Sequence, residues 1–409
     1  MATVQEILDT EIPRPTFAFR PGYNAPVPSD VTFSRPTGGR TLDPASELYK
    51  FVSSGKRRIF GPQQGLLVES GNRTNEAKYS SDISQWGTSS GATIESGTPL
   101  DSVIGGEDAY KITADTSSEY ARARRIDSGI YTSGEEVVYA ILEKDTADRV
   151  AVGLANDTNS SSVIGTYEFS TDSIVSTDYI IDANTRKLTT SGPNGGTLVL
   201  IILRYDATSV GGNDVSGDNR RQQIFPDRNN NGNGVIAHHA QIETRKNASS
   251  PIVTGSSETN RQGDDVTIFS GGQPDWWNPN QGTFLMEASL RFFERGGATR
   301  LLSGNSRAQR YFGVGSNPVG IFSADDDGNS VVFSPVDPFS KLRLGVSFDN
   351  DDIRLGVNGD VRTAGGHDGS FMTPSELEIG INNRLLATVF QLRYIPEALS
   401  KSTLGTLIS

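Results

Sequence analysis

From residue 65 onward the apolar residues of this chain arrive in short runs. Each run is closed by Gly, Asn, Asp or Ser, and no long helical period interrupts them. Turn formers at such short intervals leave little room for ordinary amphipathic helices, whereas short strands joined by tight turns fit them directly. The strongest run, TLVLIILRY at 197–205, is rich in β-branched residues and far too short to cross a bilayer, so it reads as a buried strand. EVVYAIL (136–142) and RVAVGL (149–154) are further strand candidates, with shorter runs at 65–68, 109–113, 167–169, 179–181, 235–237 and 240–242. A second series follows at 283–290, 310–314, 319–323, 330–333, 342–348, 352–357, 376–379 and 388–394. Two stacked sheets bury the inner residues of such strands without a helix. The expected fold class is all-β, with two β-sandwich (jelly-roll) domains in tandem. Asn358-Gly359 suits a type I′ hairpin, and the tail PEALSKSTLGTLI suits a short helical cap.

Length agrees with more than one core: the chain has 409 residues, and single cores stop growing at roughly 250–300. Residues 1–64 read as a proline-rich N-terminal arm, because Pro13, Pro15, Pro21, Pro26, Pro28 and Pro36 break any long helix or central strand. Phe17, Phe19 and Tyr23 give that arm too much aromatic surface for a solvated linker. They are its candidate docking side chains, onto a neighbouring domain or another subunit. A local irregular subdomain is the plainer alternative. The first sandwich is expected over 65–250, a polar connector over 251–265, and the second sandwich over 266–409.

Composition removes several chemistries. There is no cysteine, so disulfides, thiolate catalysis and cysteine-held zinc are out. Thirty-seven basic against 49 acidic residues give a net charge of −12, which argues against nucleic acid as a partner. Arg122, Arg124 and Arg125 form a small basic patch that reads first as solvated strand-edge charge. No segment suits membrane insertion, and the first residues lack the basic start and apolar core of a secretion signal. No phosphate loop or dinucleotide fingerprint occurs in a strand–turn–helix context.

Structural calcium is the one ion whose ligand chemistry the loops offer; no cofactor is required. Asp227, Asn229 and Asn231, followed by Gly232, place oxygen ligands at alternate positions as part of an EF-hand loop does, but His238 stands where the loop needs Glu. Asp325, Asp327 and Asn329 repeat the spacing without the glycine. Ordinary Asn/Gly-rich turns explain both. His238 and His239 would face opposite sides of a strand, which disfavours their chelating one metal. Gly365-Gly366-His367-Asp368-Gly369 reads as a turn. No local segment identifies the carboxylate pair a glycosidase needs, and no catalytic residue is assigned. Trp276 and Trp277, in PDWWNP, are the candidate contact for a carbohydrate or a protein, since adjacent indoles on an extended segment cannot both enter one core. Closure of the second sandwich is the alternative.

The order of several short segments resembles a structural family of tailed-virus (phage) virion and tail proteins. The segments are VTFSRPTGG (31–39), GLLVE (65–69), Asn72-Arg73-Thr74-Asn75, Trp86, AQIE (240–243), Thr259-Asn260-Arg261, Trp277-Asn278, and FQLRY (390–394) with Pro396 and Leu404. Glu76-Ala77-Lys78 departs from the family's more apolar continuation. The resemblance implies a carbohydrate-binding-module-like jelly roll followed by a laminin-G/concanavalin-like domain. It implies a non-enzymatic protein of the virion surface, a capsid decoration or a tail fibre or spike, assembled in the host cytoplasm. Its expected partners are capsid or tail proteins of the same particle, further copies of itself (for instance as a trimer) and host surface polysaccharide. A dedicated host-glycan adhesin is the alternative, and a glycanase stands third.

Overall fold

The computed structural model describes residues 15, 17–19, 28–34, 39–42, 49–52, 59–60, 65–69, 72–115, 120–130, 134–156, 162–178, 180–207, 219–228, 232–245, 248–293, 299–304, 310–316, 319–324, 330–333, 340–349, 352–365, 374–380 and 385–409. Tyr23, Asn229, Asn231, Asp325, Asp327, Asn329 and His367 lie outside the described residues. Within them the regular structure is nearly all strand, and helix is confined to Lys401–Leu407 and a 3-10 turn at Ile83–Gln85.

The chain forms two compact units. One, here the inserted unit, comprises Ser46–Phe51 and Arg73–Arg261; the other, the split unit, comprises Met1–Ala45, Val52–Asn72 and Gln262–Ser409.

The inserted unit is a sandwich of two antiparallel sheets. Among the described residues one sheet runs Leu100–Asp101, Asp108–Ala114, Gly234–Glu243, Glu135–Lys144, Leu198–Asp206, Asp182–Thr189, with Ala92–Ile94 also on Asp108–Ala114. The other runs Ser173–Asp178, Ser162–Glu168, Arg149–Asn156, Asn219–Phe225, Arg122–Ile130, Gly87–Ser89. Val199, Ile201, Leu203 and Tyr205 of the strong apolar run are buried and alternate with half-buried Leu200, Ile202 and Arg204. They share a core with Val138, Ala140, Leu142, Val152, Leu154 and Ile224. Each large side chain so buried is worth about 1.5–3 kcal/mol.

The split unit pairs strands from both ends of the sequence. One sheet runs Asp360–Gly365, Asp352–Val357, Lys341–Phe348, Gly282–Phe293, Leu385–Ile395, Gly65–Glu69, Ile59–Phe60, and Phe17–Phe19 also pairs with Leu385–Ile395. The other runs Thr32–Ser34, Asp265–Ser270, Glu376–Ile379, Thr299–Gly304, Arg310–Ser316, Val319–Ala324, Ser330–Phe333. Phe17 and Phe19 are 4% and 0% exposed inside this core, so of the two seats expected for the arm they take the neighbouring domain and not another subunit. Gly65–Glu69, assigned by contiguity to the first sandwich, is also a strand of the split unit. Prolines exclude long helices but not three-residue strands, and pairing across more than 300 residues leaves no local signal.

Asn358 and Gly359 both adopt positive φ, 49° and 96°, as a type I′ hairpin requires. Ser400 caps the terminal helix, accepting from the Thr403 amide at 3.2 Å. The helix packs Leu404 and Ile408 against Leu285, Ile395 and Leu399. Gly345 and Gly356 make its seat, since a Cβ on them would stand 2.6 Å from Leu404 Cδ1 and 2.3 Å from Ile408 Cδ1.

Candidate functional site

The tryptophan pair belongs to the scaffold. The Trp277 amide donates to the Pro274 carbonyl at 2.9 Å, so the segment is a turn, not an extended strand, and both indoles reach one core. Trp277 is 6% exposed and stacks on Tyr394 with centroids 4.8 Å apart and planes 5° apart. Trp276 is half-buried, stacks on Phe17 at 4.7 Å and donates its Nε1–H to Asp30 Oδ2 at 2.7 Å. Burial pushes the Tyr394 phenol up to about 12, and its hydroxyl accepts from the Asn278 amide at 3.1 Å. Both indoles are engaged within the core, which withdraws the expectation of a glycan platform.

The histidines belong to a buried polar belt in the inserted unit. Val103 N–H donates to His238 Nδ1 at 3.3 Å, so Nε2–H donates to Glu143 Oε2 at 3.1 Å. Burial pushes the His238 imidazole down, against the pull of Glu143. Glu143 also accepts from the amides of Asn194 and Gly196 at 3.0 and 2.7 Å, clamping that turn. His239 Nδ1 lies 2.8 Å from Ser81 Oγ and its Nε2 lies 3.0 Å from Gln241 Oε1, while Gln241 Nε2 donates to Glu243 Oε1 at 2.7 Å. A serine beside an imidazole has the outline of a nucleophile and its base. Ser81 and His239 are 1% and 0% exposed, and their contact ties the bend at Ser81 to the strand Gly234–Glu243. Arg220, fully buried, sits between Glu76 and Glu136, with Nη2 donating to Glu136 Oε1 at 2.6 Å. Glu76 thus compensates a buried cation.

Other motif residues of the inserted unit have structural roles as well. Arg73–Asn75 pairs antiparallel with Thr259–Arg261, and Asn75 Nδ2 donates to the Ile252 carbonyl at 2.6 Å. Asp227 is buried and accepts from the Asn233 amide at 3.0 Å, a turn-closing role. Among the described residues no group of three His, Asp or Glu side chains converges on a metal position.

An open groove of about 570 Å³ lies on the outer face of the split unit's larger sheet, beside the terminal helix. Three neighbouring strands line it: Glu287 from Gly282–Phe293, Lys341 and Arg343 from Lys341–Phe348, and Phe390, Gln391 and Arg393 from Leu385–Ile395. Glu287 pairs with Arg343 on one side and Gln391 on the other, so it sits at the centre. Lys341 Nζ reaches Glu287 Oε2 at 2.9 Å and stands 5.2 Å from the Phe390 ring centroid. Arg393 Nη2 donates to Gln391 Oε1 at 3.0 Å. Lys341 and Arg343 remain 43% and 49% exposed, so their charges are presented to solvent. Fixed donors and acceptors around a partly exposed ring suit a hydroxylated ligand. Glu287 is the sole acidic side chain among the described lining residues, and glycoside hydrolysis needs two carboxyls about 5–9.5 Å apart.

No family model and no curated protein matches the chain. Solved structures match parts of it. The CBM40 of a Ruminococcus gnavus IT-sialidase, bound to α2,3 sialyllactose, is 14% identical over 32% of this chain and 83% of its own, with a TM-score of 0.27. Domain 4 of a GH43 extracellular arabinanase from Geobacillus stearothermophilus, in complex with arabinotriose, is 12% identical over 40% and 84%, with a TM-score of 0.28. The binding domain of Paraclostridial Mosquitocidal Protein 1 is 12% identical over 37% and 43%, with a TM-score of 0.27. Likeness at this level carries no argument about this chain's ligand; the β-sandwich assignment rests on its own sheets.

Proposed function

We propose that the chain is a non-enzymatic, glycan-binding protein displayed on a virus particle as a capsid decoration or a tail fibre or spike. The observation that carries the binding reading is the polar groove around Glu287, where charged forks, an amide and a ring stand on the outer face of a rigid sheet. The single acidic side chain of its described lining, neutralised by Lys341, favours binding over hydrolysis. The sequence resemblance supports the particle location, and display in many copies would convert weak single contacts into firm adhesion.

Retention on host-envelope polysaccharide tests this reading. The intact chain is expected to be retained, Phe390→Ser and Arg343→Ala to lose about tenfold in apparent affinity, and no new sugar ends to form. Release of sugar ends, or retention indifferent to both substitutions, would overturn it. A cryo-EM map of the parent particle tests the location: density on the outer surface is expected, and an internal position contradicts it.

A further inference from the structure

Alternation along Arg122–Ile130 puts Arg122 and Arg124 on one side of their sheet and Arg125 on the other. Arg125 accordingly leaves the patch: it lies 4.9 Å from the Tyr79 ring and donates to the Gln85 carbonyl at 3.2 Å. The adjacent strand replaces it. Arg124 pairs with Gln223 and Ile126 with Arg221, which places Gln223 and Arg221 on the side of Arg122 and Arg124. Phe225 shares that side, with Arg122 5.8 Å and Arg228 5.3 Å from its ring centroid. Arg228 also stands 5.5 Å from Tyr120, which is 52% exposed.

Four guanidiniums and an exposed phenol ring therefore gather on one face of a chain whose net charge is −12. Burial and the like charges of Arg221 and Arg124 push the Arg122 guanidinium down. Its Nε is buried without a hydrogen-bond partner. Arg122 and Arg124 are spaced by roughly 6.6 Å along the strand, and Arg221 lies about 7–8 Å diagonally from Arg124. Two guanidinium forks on side chains this far apart can reach one small planar anion between them, and forks match carboxylates bidentately. A nucleic acid presents a charge about every 1.7 Å of helix axis and asks for an extended basic surface, which a compact cluster on an acidic chain does not supply.

We propose that this face binds the carboxylate of an acidic sugar residue, with Arg122, Arg124 and Arg221 holding the anion and Tyr120 stacking on the sugar ring. The inference rests on the glycan-binding reading above but names a different site, in the other unit.

Calorimetric titration of the full chain with glucuronate-, galacturonate- and sialate-terminated oligosaccharides, each beside its carboxyl-reduced form, tests it. At least one carboxylate form is expected to bind about tenfold or more tighter than its reduced partner, the effect of one charge-assisted hydrogen bond. Arg124→Gln and Arg221→Gln should abolish that ratio with circular dichroism unchanged, and Arg124→Lys should keep part of it. Equal affinity for every carboxylate and reduced pair, no binding of any acid, substitutions that leave the ratio intact, or tighter binding of a single-stranded DNA oligonucleotide would each overturn the proposal. Phe390→Ser separates the two readings. If it changes no binding while carboxylate discrimination persists, the groove reading falls and the arginine face stands; loss of discrimination alone has the opposite meaning.

Discussion

The two units close their sandwiches with different chemistry. In the split unit the Trp277 and Phe284 rings lie 5.8 Å apart, and each lies 4.8–6.4 Å from Tyr311, Phe348 and Tyr394. In the inserted unit the apolar core is bordered by a belt of fully or nearly fully buried polar groups: Glu136, Glu143, Arg220, His238, His239, Gln241 and Glu243. An aromatic core depends on volume and tolerates changes of pH. A polar belt depends on every partner being present and charged correctly. The contrast also explains why residues with the look of a site, the indoles and the histidines, are structural, while the candidate contacts lie on the outer faces of sheets.

The largest expected effect is on the aromatic side. Trp277→Ala should destabilise the split unit by about 3–5 kcal/mol, read as faster hydrogen exchange in Gly282–Phe293 with Glu135–Lys144 unchanged. Equal acceleration in both strands would erase the contrast. Arg220→Met should do the reverse. It leaves Glu136 with the Tyr205 hydroxyl but without its buried cation and costs about 3 kcal/mol, the lower end for a broken buried pair, because Glu76 retains some exposure; restored protection in the Arg220→Met/Glu136→Gln double variant would sharpen the assignment. Gly356→Ala should cost about 1–3 kcal/mol by pressing on Ile408, with the loss confined to exchange in the terminal helix and its seat.

The pH response is the smallest effect and belongs to the belt. The folded pKa of His238 lies below its unfolded value of about 6.5. The unfolded chain therefore takes up that proton first, and this group's contribution to stability falls as the pH drops below about 6.5. Burial pushes the Glu243 carboxyl up, against Arg73, Ser249 and Gln241. The folded state then gains that proton before the unfolded one, so this contribution is full below the ordinary carboxylate range and is lost as the pH rises through the folded pKa. His238→Gln should flatten the acid loss of the inserted unit and Glu243→Gln should steepen it, each by at most about 1.4 kcal/mol per pH unit. Denaturant titrations from pH 7 to about pH 4, down into the ordinary carboxylate range, read both slopes.

Much of the fold was legible because it is written locally. The apolar run TLVLIILRY, the Asn358-Gly359 turn and the short terminal helix each depend on a few residues. Strand pairing is not local, so the pairing of Phe17–Phe19 with Leu385–Ile395 and the transfer of Gly65–Glu69 to the split unit had no signal in the sequence. The Trp276-Trp277 expectation failed on one assumption, an extended backbone where Pro274 starts a turn. The groove was invisible for another reason: Glu287, Arg343 and Arg393 each read as the ordinary outward residue of a strand, and only register brings them together. Arg122 and Arg124 were visible as a patch, but alternation removes Arg125 from it and Arg221 arrives from a strand almost a hundred residues later.

Hydrogen-exchange footprinting of the intact chain with host-envelope polysaccharide tests the division between scaffold and contact surface most directly. Protection is expected at 287, 341–343 and 390–393 in the split unit and at 120–124 and 221–228 in the inserted unit, with 274–279 and 238–243 unchanged. Protection centred on the tryptophan turn or the histidine belt, or no footprint at all, would contradict the account.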